Sequence, residues 1–247
     1  MLLKDQAALI TGSGRGIGRA IAKLFSREGA AVFLTARTHS ELASTAAEIN
    51  LTGKCAFLTA DLAKEADCAR VIAAARTEFG HIDVLVNNAG HYGPVVPVEE
   101  YPLEDFDNVI SVHLRAAFLL SKLALPEMYA RGSGVILNVS SLSAKSAFAW
   151  GSAYAAAKAG LLGLTRVNAL CPGPVTETKM SQELGATLAR RMGVSSKDQL
   201  EGFLNTLLQG RAQSAEEIAQ AALFLCSAQS SAITGQSINV DGGAAFF

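Results

Sequence analysis

The sequence predicts an α/β protein: one doubly wound domain spanning residues 1–247, with a parallel sheet of about seven strands and helices on both faces. Short apolar runs alternate with longer helical patterns from one end of the chain to the other. These runs are aliphatic or β-branched on both faces, as strands buried between two helical layers are. The first of them also ends in a glycine-rich turn that opens a helix.

The elements follow in order. A strand is predicted at Ala7–Ile10, followed by Gly12, Gly14, Gly16 and Gly18. Ile17, Ile21, Leu24 and Phe25 then recur at helical spacing until Gly29 stops the helix. Strands at Ala31–Ala36 and Cys55–Thr59 precede a helix at Glu65–Phe79. A strand at Asp83–Asn87, a long helix at Leu103–Arg131 and a strand at Val135–Val139 come next. Strands at Val167–Cys171 and Ser237–Val240 flank a substrate lid within about 176–210 and a helix at Ala215–Cys226. This alternation implies right-handed crossovers and no second domain, linker or repeat.

Half of the 247 residues are hydrophobic and 17% are charged, which excludes intrinsic disorder. A net charge of −1 leaves no electrostatic footprint for nucleic acid or an anionic membrane. No apolar run approaches the roughly 20 residues of a membrane span, and the N-terminal run is too short for a signal peptide. Cys55, Cys68, Cys171 and Cys226 form no C-x-x-C pair, so they are expected as reduced thiols in a reducing compartment. The expectation is a soluble cytoplasmic protein with no metal site.

The segment Ala8–Gly18, ALITGSGRGIG, has the composition of a pyrophosphate-binding turn at a helix N-terminus, although a tight strand–helix turn uses the same glycines. The second strand ends Leu34-Thr35-Ala36-Arg37, with no carboxylate to hold a ribose 2′-hydroxyl. Arg37 and Arg15 instead suit a 2′-phosphate, which favours NADP(H) with NAD(H) as the alternative; otherwise both are ordinary surface arginines. Tyr154 and Lys158, in YAAAK, share one helical face. A cation beside a phenol stabilises the phenolate and moves its pKa from about 10 towards neutrality.

Together these segments resemble the short-chain dehydrogenase/reductase family. The resemblance rests on TGSGRGIG at 11–18, Asp61-Leu62, NNAG at 87–90 and NVSS at 138–141. YAAAK at 154–158, Pro172-Gly173 and ITGQSINVDGG at 233–243 complete it, in family order over essentially the whole chain. It implies a Rossmann-like fold and NAD(P)(H)-dependent interconversion of an alcohol and a carbonyl. By the same resemblance, Tyr154 is the acid/base, Lys158 holds the nicotinamide ribose and lowers the tyrosine pKa, and Ser141 binds the substrate oxygen. Gly12, Ser13, Arg15, Gly16, Ile17, Gly18, Arg37, Asp61 and Leu62 are the expected cofactor contacts of the first half. Asn87, Ala89, Gly90, Tyr154, Lys158, Pro172, Gly173 and Val175 complete that set. Reductases of 3-oxoacyl thioesters share this pattern, as do sugar, polyol and steroid dehydrogenases. A homodimer or homotetramer is expected from the resemblance.

Two departures stand out. In Val109–Leu114, VISVHL, His113 occupies the position of the family's fourth catalytic residue, an asparagine. It is either part of a water-mediated proton relay or a packed core histidine. Second, YAAAKAGLLGLTR runs directly into VNALCPGPV, a shortage of roughly a dozen residues around Thr165–Val167 judged from helix and loop geometry. An omitted segment explains this better than a true deletion or a rebuilt helix, because the motifs on both sides are intact. On the substrate side the candidates are His91, Ser143 and Trp150, the last either walling a pocket or packing at the start of the helix. Thr176 or Thr178 is expected to reach the nicotinamide carboxamide. The leading expectation is an oxidoreductase on a small-molecule carbonyl or alcohol; the alternative is a catalytically weak dinucleotide-binding protein.

Overall fold

The computed structural model describes residues 1–51, 53–164 and 167–245. Its centre is a seven-stranded parallel sheet in the order β3-β2-β1-β4-β5-β6-β7. The strands are β1 (Ala7–Thr11), β2 (Ala31–Ala36), β3 (Cys55–Thr59), β4 (Val84–Asn87), β5 (Val135–Val139), β6 (Asn168–Pro172) and β7 (Ser237–Val240). Each lies within one residue of its predicted bounds. The strand order reverses between β1 and β4, so their following loops part and leave a crevice at the carboxyl edge.

Leu9 and Ile10 show why the strand has no polar face. Leu9 joins Phe33, Val71, Ile72, Leu85 and Leu120 on one side of the sheet. Ile10 joins Phe25, Leu34, Val86 and Ile218 on the other. Helices α1 (Gly16–Arg27), α2 (His39–Ile49) and α9 (Ala215–Cys226) cover the second face, while α3 (Glu65–Phe79) and α5 (Ala116–Arg131) cover the first. Helix α2 was not legible in the sequence. Its buried positions Leu42, Thr45, Ala46 and Ile49 have helical spacing, but a threonine and an alanine make a faint apolar stripe.

The long helix predicted at Leu103–Arg131 is continuous but not uniform. α4 (Leu103–Ile110) passes through a π-helical turn at Ser111–Arg115 before α5 begins. Such a turn widens one loop of the helix and re-aims its side chains, often at a functional site. This stretch is also long and apolar enough to cross a membrane by length and composition, although its apolar residues are interspersed with polar ones. Its apolar residues have another use: Ala116, Leu120, Ala124 and Met128 lie in the core against α3 and the sheet.

Helix α6 (Ser152–Gly163) carries the YAAAK segment over twelve residues, about 18 Å at helical rise. The predicted shortage around Thr165–Val167 falls on Thr165 and Arg166, outside the described residues. Within the predicted lid, α7 (Lys179–Met192) and α8 (Ser196–Leu204) form a helical pair. Each is capped by the hydroxyl before it, Thr178 for α7 and Ser195 for α8.

Candidate active site

The crevice begins at the turn after β1. Gly12 has φ +66°, and a Cβ there would lie 2.8 Å from the Ala89 Cα. Only glycine lets this turn lie so close to the loop after β4. No side chain caps the N-terminus of α1, where free N–H groups and the helix dipole favour an anion. Ser13 Oγ accepts from Thr35 N at 3.0 Å and so holds the turn against β2. These features fit a dinucleotide pyrophosphate.

Thr11 and Asn88 fasten the other side of the crevice. Thr11 Oγ1 accepts from the backbone N–H groups of Asn88 and Ala89, both at 2.9 Å. Asn88 Nδ2 donates to the carbonyls of Thr11 and Gly12. Sequence reasoning quoted NNAG but singled out Asn87 rather than Asn88. The Asn87 side chain is buried and donates to Asn138 Oδ1 at 3.0 Å, joining β4 to β5. A strand's alternation decides it, since adjacent asparagines point to opposite faces.

Asp61 and Leu62 follow β3, where Asp61 Oδ1 accepts from Ala63 N and the Leu62 side chain is buried. Gly90 is pressed against His113: a Cβ at Gly90 would meet the imidazole Cε1 at 2.0 Å. Arg37 is exposed at the end of β2. Arg15, expected beside it, instead pairs with Glu41 at 3.4 Å. That pair is solvent-accessible and worth at most about 1 kcal/mol.

Tyr154 is buried on α6, with the Ser141 hydroxyl near enough to its phenol to influence the phenol's pKa. Its ring stacks on Tyr92 at 4.6 Å and meets the His113 ring edge-on at 5.3 Å. Lys158 lies one turn further along, its Nζ donating to the Val139 carbonyl at 2.7 Å and lying 5.6 Å from the Tyr154 ring centre. Ser140 Oγ donates to the Lys158 carbonyl, while Ser141 Oγ accepts from Ser143 N. Ser140 thereby braces the helix and leaves Ser141 facing the tyrosine.

The electrostatics of this arrangement differ from expectation. Burial pushes the Tyr154 phenol up, with the Ser141 hydrogen bond pulling the other way. Burial also pulls the Lys158 ammonium down to about 7. A lysine divided between its charged and neutral forms cannot hold a phenolate as strongly as the sequence reading supposed. Its contact with the ring is correspondingly less than a full cation–π interaction.

His113 projects from the π-helical turn and is buried. Its Nε2 lies 3.0 Å from His91 N and 2.7 Å from His91 O, so it serves one or the other according to tautomer. Burial, reinforced by the Lys158 charge, holds its pKa well below the usual histidine value. His91, expected at the substrate, has its ring near Asn108 and the His113 ring and is not among the residues that line the large cavity.

That cavity measures about 730 Å³ and opens over Tyr154. Ser141, Ser143, Pro172, Gly173 and Val175 line its floor, and Trp150 and the lid helices form its walls. Thr176 lines it too, whereas the Thr178 hydroxyl is occupied, donating to the Val175 carbonyl and capping α7. Trp150 has φ +66°, a left-handed backbone that costs a bulky residue on the order of 1–3 kcal/mol. Tyr92, Phe148 and Phe203 also line the cavity; they fall in the loops at 91–96 and 142–150 and in the lid, the segments expected at the substrate, without having been singled out individually. Phe148 and Phe203 are partners across a gap in the chain that no local pattern encodes. Among the described residues, no group of three or more His, Cys, Asp or Glu side chains is placed to hold a metal ion.

A family model described as enoyl-(acyl carrier protein) reductase matches residues 2–245. An uncharacterized oxidoreductase of Bacillus subtilis, YxjF, is 36% identical over 98% of both chains. The chain belongs to the short-chain dehydrogenase/reductase family. Another member, the 3-oxoacyl-[acyl-carrier-protein] reductase FabG of Thermotoga maritima, is 35% identical over 98% of this chain and 99% of its own. Those alignments run over 255 and 256 residues against the 247 present, so both relatives carry residues that this chain lacks. Among solved structures, an actinorhodin polyketide ketoreductase with NADPH superposes with TM-score 0.93, 30% identity and 98% coverage of each chain. An NAD⁺-bound xylitol dehydrogenase superposes with TM-score 0.94, 26% identity and coverage of 98% and 100%. The protein is accordingly an oxidoreductase of the dehydrogenase/reductase type that binds a nicotinamide dinucleotide and acts on small molecules.

Proposed function

We propose that this short-chain dehydrogenase/reductase interconverts a carbonyl and a secondary alcohol, with Tyr154 exchanging the proton, Ser141 holding the substrate oxygen and Lys158 positioning both. The observation that carries this reading is that Ser141, Tyr154 and Lys158 line one cavity together, with the Ser141 hydroxyl near enough to the Tyr154 phenol to lower its pKa and Lys158 one helical turn away. The nicotinamide, when bound, supplies or accepts the hydride at the carbonyl carbon. The chain does the rest. Tyr154 Oη gives its proton to the carbonyl oxygen as the alcohol forms and regains one from solvent. Ser141 Oγ donates to that oxygen and stabilises its developing charge. Burial keeps the phenol protonated, which suits the reducing direction.

The preferred cofactor is NADP(H). Arg37 stands exposed where a carboxylate for a ribose 2′-hydroxyl would be, and a guanidinium matches phosphate oxygens. Exposed Phe118 and Tyr129 on α5 support association into a homodimer or homotetramer. Four free thiols, all with pKa values raised by burial, support a reducing, cytoplasmic setting.

The test is NADPH-dependent reduction of a ketone panel by the wild type and by Tyr154→Phe. The variant keeps the stack on Tyr92 and is expected to lose about 10²–10⁴-fold in kcat. Full activity in Tyr154→Phe refutes the acid/base role. Tight NADPH binding with no turnover of any ketone establishes the binding-only alternative instead.

A further inference from the structure

We infer that the substrate is a bulky, uncharged, ring-bearing ketone or its secondary alcohol, rather than a hydroxy acid or an open-chain sugar. This rests on the carbonyl chemistry proposed above and adds the body of the molecule that carries the carbonyl.

The cavity walls make the argument. Its 730 Å³ must take the nicotinamide as well as the substrate, and it lies within the range of drug-sized ligand sites. Lys158, at the reacting end, is the one charged side chain among the described lining residues; no Arg, His, Asp or Glu lines it. A substrate carboxylate or phosphate in the distal part would leave water without a cation among the lining residues, since Arg191 lies outside them on the Trp150 ring, which is unfavourable. A sugar would need several matched donors and acceptors there. The Thr178 hydroxyl is already engaged by the Val175 carbonyl, and Gln182 and Ser196 are exposed, which leaves Ser181 and Gln199 as the half-buried polar side chains that the lid helices offer among the described lining residues.

What the distal part does offer is flat and apolar. Phe148, Trp150 and Phe203 present rings from two separate segments, with Leu188 and Met192 from α7 beside them. Aromatic walls stack well on planar or fused rings. Two contacts close the lid over this space. Phe148 meets Phe203 edge-on at 5.7 Å, and the Arg191 guanidinium lies 5.6 Å above the Trp150 ring. Trp150 keeps its left-handed backbone at the same place, a strain the chain retains where its indole faces the ligand space.

The experiment uses the intact protein with NADPH and four ketones: tetralone, decalone, acetoacetate and xylulose. In each reaction the carbonyl gains a hydride from NADPH and one proton, giving the alcohol and NADP⁺. We expect kcat/KM for tetralone and decalone to exceed those for acetoacetate and xylulose by about a hundredfold, the worth of burying a ring of roughly 100 Å². Trp150 is the single tryptophan, so its fluorescence reports occupancy independently of turnover. The ring ketones are expected to quench it saturably, and acetoacetate is not. Trp150→Ala, read by kinetics, should lower the preference at least about tenfold, whereas Trp150→Phe should retain most of it. Equal or faster turnover of acetoacetate or xylulose overturns the inference, as does an unchanged emission with the ring ketones. Saturable quenching without turnover of any ketone upholds the apolar site and refutes the carbonyl chemistry proposed for Tyr154 and Ser141, so the two failures are distinct.

Discussion

Lys158 is held in its site at a thermodynamic cost that mutation exposes. Burial shifts its pKa from 10.5 to about 7, which at about 1.4 kcal/mol per tenfold change in proton affinity is about 5 kcal/mol against the ammonium below neutrality. The folded state therefore binds fewer protons than the unfolded chain between about pH 7 and 10.5, and wild-type stability rises with pH through that window. Lys158→Met removes the charge and keeps the length of the side chain. It also removes the hydrogen bond from Nζ to the Val139 carbonyl, which costs about 1–3 kcal/mol when that acceptor is left buried and unpaired. The balance is a cofactor-free variant more stable than wild type by about 2–4 kcal/mol at pH 6, with the advantage shrinking by pH 9. Urea unfolding of both proteins at the two pH values measures this. A variant less stable at pH 6, or an advantage that grows with pH, would falsify the assignment of burial as the dominant influence on Lys158. Turnover should fall in the same variant, which separates the lysine's use from its effect on stability.

Other outcomes follow from neighbouring features. Arg37→Ala should raise KM for NADPH about ten- to hundredfold and leave NADH little changed, because a charge-assisted contact with phosphate is lost. Glu41→Gln releases Arg15 from its pair and should lower KM for NADPH by up to about fivefold; a rise would mean that Glu41 orders the turn instead. His113 has a folded pKa well below its ordinary 6.5, so wild-type stability is lost as pH falls below about 6.5, where the unfolded chain takes up the proton. His113→Asn should flatten that loss in denaturation midpoints at about pH 5 and 7, and should leave the pH–rate profile near neutrality unmoved. An altered profile would give the imidazole a titrating part in the reaction. Phe25 is fully buried between α1 and the sheet, and Phe25→Ala should lower the unfolding free energy by about 3–5 kcal/mol in the same denaturation assay.

Much of the fold was legible along the chain because its signals are local. Leu9 and Ile10 are both apolar, which requires a sheet covered on two faces, and Gly12 and Gly29 mark the turns on either side of α1. Ser141, Tyr154 and Lys158 were likewise found from their spacing and from family resemblance, and the fold brings the three together. Their electrostatics were not legible. Desolvation depends on everything packed around a group, and at Tyr154 and Lys158 it opposes the lowering of the phenol pKa that the pair alone suggests. Which asparagine of NNAG faces the crevice was settled by the phase of β4, so that Asn88 holds the glycine turn and Asn87 the sheet.

The sequence by itself determined the order of the elements, the glycine turn, the candidate trio of Ser141, Tyr154 and Lys158 and the oddity at His113, because each is written in neighbours, in helical and strand periods or in family resemblance. Only the tertiary structure decided what surrounds them. It set the His91 backbone against the His113 ring, paired Arg15 with Glu41, put a π-helical turn under His113 and met Phe148 with Phe203. Those contacts join residues far apart along the chain, and their energies come from burial and geometry that exist only once the layers have packed.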